Sequence, residues 1–316
     1  MRVTKTILLA ATAAMALSAG GASAQEDKQL ERIGVSVALL GNPFFVATIK
    51  GIEDKAREIN PDVEITSVSA DYDLNKQVSQ IDSFIAAGMD IIMLNAVDAQ
   101  AIAPAVSRAK AAGITIAAFD VSAPGADVTV MTDNVDAGRK ACQYIVDQIG
   151  GEGDVVIING PQSSSIIDRV NGCKEVFGAH EGINILSDDQ NGQGSREGGL
   201  SVMQGILTRF PEIDGVFAIN DPTAIGADLA ARQLGRSEFV ITAVDGAPDI
   251  ESALSSGTGL IKASASQDPY VMAGQAMQMG YDFFMGSTPE EDTVLLEPQL
   301  ITAENVGEYQ GWTAER

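Results

Sequence analysis

One histidine, one tryptophan and two cysteines in 316 residues leave few side chains for acid–base or metal chemistry. The histidine, His180, lies in GAHEG at 178–182, which reads as a helix end, so a Ser-His-Asp triad has a single and badly placed candidate. Neither Cys142 nor Cys173 has a second ligand at metal spacing, and no metal or cofactor is expected. No G-x-x-x-x-G-K-[ST] phosphate loop, G-x-G-x-x-G after a strand, or G-x-S-x-G elbow occurs. The run Gly192, Gly194, Gly198, Gly199 lacks the preceding strand and the lysine of a nucleotide site. Paired carboxylates remain, but nothing in the sequence gives them raised pKa values, so they read as binding groups and the chain as a non-enzyme. Basic residues are scarce too, 20 against 43 acidic, and the net charge of −23 repels nucleic acid and anionic membrane surfaces.

Long hydrophobic runs are also missing. The apolar stretch 7–17 is too short to span a bilayer; with Arg2 and Lys5 before it and Ala22-Ser23-Ala24 after it, residues 1–24 read as a secretory signal. The expected product is exported, is not membrane-inserted, and carries no cysteine at the cut to take a lipid. In an oxidising compartment a Cys142–Cys173 disulfide is the leading reading, with two buried free thiols as the alternative.

What is present is a repeated unit: a short β-rich run, a polar turn, an amphipathic helix. In the first, Ile33, Val35, Val37 and Leu39 alternate, and after Asn42-Pro43 the residues Phe45, Ile49, Ile52, Ala56 and Ile59 follow helical spacing. Strands are predicted at 63–68, 90–95, 114–120 and 128–132, with helices at 75–87 and 99–112. A second series has strands at 155–159, 183–187, 216–220, 239–244 and 260–263, and helices at 134–149 and 168–179. The chain is too long for one core, and no flexible linker divides it. The reading is α/β: two Rossmann-like doubly wound parallel-sheet lobes, with crossings at Asp133-Asn134, Ser266-Gln267 and after Ser287. The expected lobes are 30–132 plus 268–292, and 133–267 plus 293–316, and the chain is expected to be a monomer.

In such a fold, ligands bind at the carboxyl ends of the strands. Those ends carry Asn42 with Phe44 and Phe45, then Asn95, Asp120, Thr132, Asn220 with Asp221, Asp245 and Gln267. Planar amides and carboxylates that donate or accept in pairs suit a neutral ligand with adjacent hydroxyls, and an aromatic pair can pack on the C–H face of a sugar ring. Arg169 can clamp a hydroxyl or reach Asp120. Asp133, Asn134, Asp221 and Asp268 read as helix caps.

The segments NPFFV at 42–46, AFD ending at Asp120, TDN at 132–134, DRVNG at 168–172, INDPTAIGA at 219–227, VDGAPD at 244–249 and ASQDP at 265–269 resemble the periplasmic sugar-binding receptors of the ribose-binding type, over almost the whole chain after the signal. The resemblance implies a type I periplasmic binding protein, located in the periplasm of a Gram-negative cell, with a three-segment hinge that closes on a monosaccharide and delivers it to an inner-membrane ABC permease. It implies sugar contacts at Asn42, Phe44, Phe45, Asn95, Asp120, Arg169, Asn220, Asp245 and Gln267. Ribose receptors of this type carry an arginine after the first aspartate and an aromatic before the second; here Val121 and Val244 stand there, so a different sugar or a sugar alcohol is as well matched as ribose. Reception of a furanosyl autoinducer, or chemoreception of a sugar, uses the same fold. A transcription regulator would need a helix-turn-helix ahead of the first strand, where 25–32 leaves no room.

Overall fold

A computed structural model describes residues 28–314; the expected signal segment 1–24 lies outside the described residues. The first lobe runs β1 (Arg32–Val37), α1 (Pro43–Ile59), β2 (Glu64–Ser69), α2 (Leu74–Ala87), β3 (Ile91–Leu94), α3 (Ala103–Ala111), β4 (Thr115–Phe119) and β5 (Val128–Thr132). The second runs α4 (Asn134–Ile149), β6 (Glu152–Ile158), α5 (Ser164–Gly178), β7 (Gly182–Ser187), α6 (Arg196–Arg209), β8 (Gly215–Ala218), α7 (Asp221–Leu234), β9 (Val240–Asp245), α8 (Pro248–Ser256) and β10 (Ile261–Ser266). The chain then returns to the first lobe through α9 (Pro269–Phe284) and β11 (Thr293–Leu296), and ends in the second with β12 (Gln299–Thr302) and a 3-10 turn at Val306–Glu308.

The two six-stranded sheets are ordered β11-β5-β4-β3-β1-β2 and β12-β10-β9-β8-β6-β7, the same winding repeated. Successive strand residues point to opposite faces, and both faces are covered. Ile33, Val35 and Val37 of β1 and Phe119 of β4 pack in one cluster with Ile52 of α1 and Met272 and Met277 of α9. Ile92, Leu94, Ile116 and Ala118 pack on the other side with Ile81 of α2 and Val106 of α3. Each fully buried aliphatic of this kind contributes about 1.5–3 kcal/mol, which is why these strands read as continuous apolar runs.

Helix starts follow local chemistry. Asn42 caps α1 by accepting from the Phe44 N–H, with Pro43 in the first turn. The helix predicted at 99 begins at Ala103, because the Asp98 carboxylate accepts from the N–H groups of Gln100 and Ala101 and holds a turn there. The helix predicted at 168 begins at Ser164: the serine run read as a turn supplies the extended cap Ser163 and then the first turn. That shift places Arg169 inside α5, close to α4. A Cβ on Gly138 would lie 2.0 Å from the Arg169 carbonyl oxygen, and one on Gly172 2.0 Å from that of Val135, so the two backbones touch. Four residues beyond Gly138 on α4, Cys142 bonds Cys173 of α5, both fully buried, with Cα atoms 5.2 Å apart.

The lobe crossings fall at Asp133, at Gln267 and at Glu297-Pro298. The third corrects the expected boundary at 293. Thr293–Leu296 pairs in parallel with Thr129–Thr132 of β5, and Val294 and Leu296 pack on the first lobe's core, so the chain stays with the first lobe through Leu296. Beyond it, β12 joins β10 antiparallel.

Candidate functional site

Two aspartates occupy equivalent places in the two lobes, near enough for the charge of one to act on the other. Asp120 follows β4 and Asp245 ends β9, the strands that hold the same position in their respective sheets. Both have left-handed backbones, φ 68° and 140°, a conformation that costs about 1–3 kcal/mol at a non-glycine residue and persists where the surroundings impose it. Asp120 is supported by Asn95, whose Nδ2 donates to Oδ2 at 2.8 Å while its Oδ1 accepts from the Ala38 N–H. Gln77 in turn donates to the Asn95 carbonyl oxygen. Burial pushes the Asp120 carboxyl up to about 6; Arg169 and Asn95 pull it down, and the Asp245 charge pushes it further up.

The second lobe's polar groups are tied to one another. Arg169, 4 % exposed, donates through Nε to Asn134 Oδ1 at 2.8 Å, and through Nη1 to the Ile219 carbonyl oxygen at 2.9 Å and to Asp245 Oδ1 at 3.1 Å. The same Asp245 oxygen accepts from Gln267 Nε2 at 2.7 Å, and Gln267 Oε1 accepts from Thr132 Oγ1 at 2.9 Å. That last bond joins two hinge crossings. Burial raises the Asp245 carboxyl, opposed chiefly by Arg169. Asp221, expected as a cap, instead accepts from the Ala247 N–H and from Ser264 Oγ, at 2.7 Å each, fixing the turn that carries Asp245. Burial holds its carboxyl well above the usual carboxylate range, and the Asp245 charge adds to that.

Several expected residues have duties inside the protein. Asn220 caps α7, accepting from the Thr223 N–H and Oγ1 and donating to the Gly194 carbonyl oxygen. Asp133 and Asp268 cap α4 and α9. Phe44 and Phe45 are 7 % and 5 % exposed, edge to face at 5.2 Å and packed in the first lobe's core. Val121 and Val244 belong to the cores of their lobes, so neither position brings a side chain to the cleft. In the glycine run, a Cβ on Gly199 would lie 2.2 Å from the Thr223 carbonyl oxygen, so this glycine lets α6 approach α7. His180 Nδ1 donates to the Val176 carbonyl oxygen at the end of α5.

Three contributors escape the strand-end reading. Asn134, expected as a cap, is instead the first residue of α4 behind the cap Asp133, and its side chain orients Arg169. Trp312 lies edge to face with Phe44 at 5.4 Å and donates to the Gln267 carbonyl oxygen at 3.0 Å, so the chain's C-terminal segment ties α1 of the first lobe to a hinge crossing. Tyr72 stands in the turn between β2 and α2. The lobes meet at the cleft edge, where the Ser122 N–H of the first donates to Ser164 Oγ of the second at 3.4 Å.

A model of the periplasmic binding protein domain matches residues 33–288. The chain belongs to the periplasmic binding protein family. It is 33% identical over 263 residues to the ribose import binding protein of Bacillus subtilis, covering 82% of this chain and 84% of that protein. It is 31% identical over 295 residues to the xylitol-binding protein of Mycolicibacterium smegmatis, covering 92% and 82%. Among solved structures, the Caulobacter myo-inositol binding protein bound to myo-inositol superposes with a TM-score of 0.80 at 27% identity, over 89% of this chain and 96% of that one. Members of this family are substrate-binding proteins of transport. Among the described residues no helix is long and apolar enough to cross a membrane.

Proposed function

We infer that this chain is the periplasmic substrate receptor of an ABC importer, and that it captures a neutral monosaccharide or sugar alcohol between its lobes. The observation that carries this is the pair of left-handed aspartates at equivalent strand ends, Asp120 with Asn95 on one lobe and Asp245 with Arg169 on the other. A polyol offers each carboxylate hydroxyl donors and offers Arg169 hydroxyl acceptors. Asn42, Phe44, Phe45, Asn95, Asp120, Arg169, Asn220 and Asp245 are the proposed contacts, with Thr132 and Gln267 acting through the hinge. The relatives named for ribose and xylitol, and the neighbour holding myo-inositol, support this ligand class. Export through residues 1–24, the monomeric state, docking on an inner-membrane permease and release of the ligand chemically unchanged are parts of the same proposal.

The test is a thermal-shift screen of the purified protein against neutral pentoses, hexoses and sugar alcohols, followed by calorimetry. A ligand at 100 times its Kd stabilises the folded state by about 2.7 kcal/mol. The proposal predicts a shift with at least one such compound and weaker binding by Asp120→Ala. No shift across the panel, or an equal Kd for wild type and Asp120→Ala, overturns it.

A further inference from the structure

Phe44 and Phe45, the aromatics at the first strand end, are 7 % and 5 % exposed and packed largely in a core and, for Phe44, against Trp312, so each offers only a small part of its ring to a ligand. Tyr72 is the one aromatic among the described residues whose side chain is broadly open, 62 % exposed. It sits at the carboxyl end of β2, beside the end of β1 that carries Asn42.

Its backbone is held unusually. Asp71 and Tyr72 both adopt left-handed conformations, φ 52° and 57°. For a ring-bearing residue that is a steric outlier, since glycine or asparagine fits the same turn without strain. The turn is nonetheless pinned. The Ala70 N–H donates to the Val37 carbonyl oxygen and the Tyr72 N–H to that of Ala38, while Asp71 accepts from Ser69 Oγ and pairs with Lys76. Ala38 is also the residue whose N–H binds Asn95, so the Tyr72 backbone hangs from the same strand end as the Asp120 cluster. Partial burial of the phenol, and then the charges of Asp120 and Asp245, hold it above the usual tyrosine pKa. An exposed ring and a strained backbone, anchored through Ala38 to the strand end that also holds Asn95 and the Asp120 cluster, occur together at a residue with no part in either core.

Resting on the function proposed above, we propose that Tyr72 is a specificity-determining residue of the cleft, its ring covering the C–H face of a cyclic polyol held by Asp120 and Asp245. A flat ring gains more from a cyclic ligand, which presents several C–H groups in one plane, than from an open-chain polyol that must be ordered to do so. Tyr72 therefore favours cyclic over open-chain ligands.

The experiment compares wild type, Tyr72→Phe, Tyr72→Ala and Tyr72→Gly by calorimetry with D-ribose, myo-inositol and xylitol as probes, and measures the unliganded Tm of each. Tyr72→Ala and Tyr72→Gly should weaken binding of the better cyclic probe about tenfold and of xylitol less than about threefold, with Tyr72→Phe within about threefold of wild type throughout. Unliganded Tm should stay within about 2 °C of wild type or rise in Tyr72→Gly, which removes the left-handed strain. Unchanged affinities in Tyr72→Ala, equal losses for cyclic and open-chain probes, or an affinity loss matched by a fall in unliganded Tm would each overturn the assignment. Wild type that binds none of the three probes, with Asp120→Ala indistinguishable from it, would instead remove the functional reading on which this rests.

Discussion

The two lobes share one winding and place an aspartate at the same strand end, yet they support it differently. Asp245 sits within a finished network: Arg169 and Gln267 both donate to it, Asn134 fixes the arginine, and Asp221 fixes the turn. Asp120 has the amide of Asn95 and a guanidinium across the cleft, and its carboxyl is raised to about 6. The second lobe also carries the disulfide and the backbone contact of α4 with α5 behind Arg169. The difference teaches that one wall of the cleft is assembled before ligand arrives and the other keeps hydrogen-bonding capacity in reserve. A ligand donating hydroxyls to Asp120 stabilises its ionised form, and it does so most when both walls are in place. That differential affinity is what lobe closure requires.

The largest expected effect is on the finished wall. Arg169→Met leaves Asp245 and Asp221 buried without their cation and should destabilise the unliganded protein by about 3–5 kcal/mol, read as a fall in denaturation midpoint. A wild-type midpoint would mean that the network is not what holds this wall. Opening the disulfide with Cys142→Ser and Cys173→Ser frees a loop with a sequence separation of 31 and should remove about 3–4 kcal/mol on the chain-entropy account, while ligand selectivity is kept. Altered selectivity would show that the bridge shapes the cleft directly.

On the other wall, Asp120→Asn keeps the side chain's shape and tolerates the left-handed backbone. Affinity should fall by about 1.5–3 kcal/mol in calorimetry, while unliganded stability at neutral pH is unchanged or higher, because a buried charge with little compensation is gone. A stability loss comparable to that of Arg169→Met would erase the contrast between the walls.

The smallest effect is the pH dependence. The folded-state pKa of Asp120 lies above its unfolded value, so its contribution to unliganded stability is complete below about pH 4 and is lost as pH rises through about 6. Binding has the opposite sign, since the ligand's hydroxyls favour the ionised carboxylate. The Kd should weaken about tenfold from pH 7.5 to pH 5 and become nearly flat in Asp120→Asn. The same pH profile in both proteins would assign the titration elsewhere.

The strand ends were legible because a parallel sheet fixes where they point: Asn95, Asp120, Asp245 and Gln267 could be named from alternation and βα order alone, and apolar runs covered on both sides gave the two lobes. Other features depend on geometry that periodicity does not carry. Tyr72 is three residues past a strand in an ordinary polar turn, and only its left-handed backbone and open ring set it apart. Trp312 lies far along the chain from its partners Phe44 and Gln267. Asn220 has the residue type of a ligand and the position of a cap, and sequence cannot separate the two. The third crossing was placed early because β11 is four residues long and follows an acidic loop, which hides its pairing with β5.

The central claim is that a ligand bridges Asp120 and Asp245 and thereby draws the two walls together. Small-angle scattering of the wild-type protein, with and without a saturating concentration of the tightest compound from the polyol panel, tests it directly. The account predicts a smaller radius of gyration with ligand, and no such change for Asp120→Asn at the same ligand concentration. An unchanged radius in wild type under conditions where calorimetry shows full occupancy would contradict it.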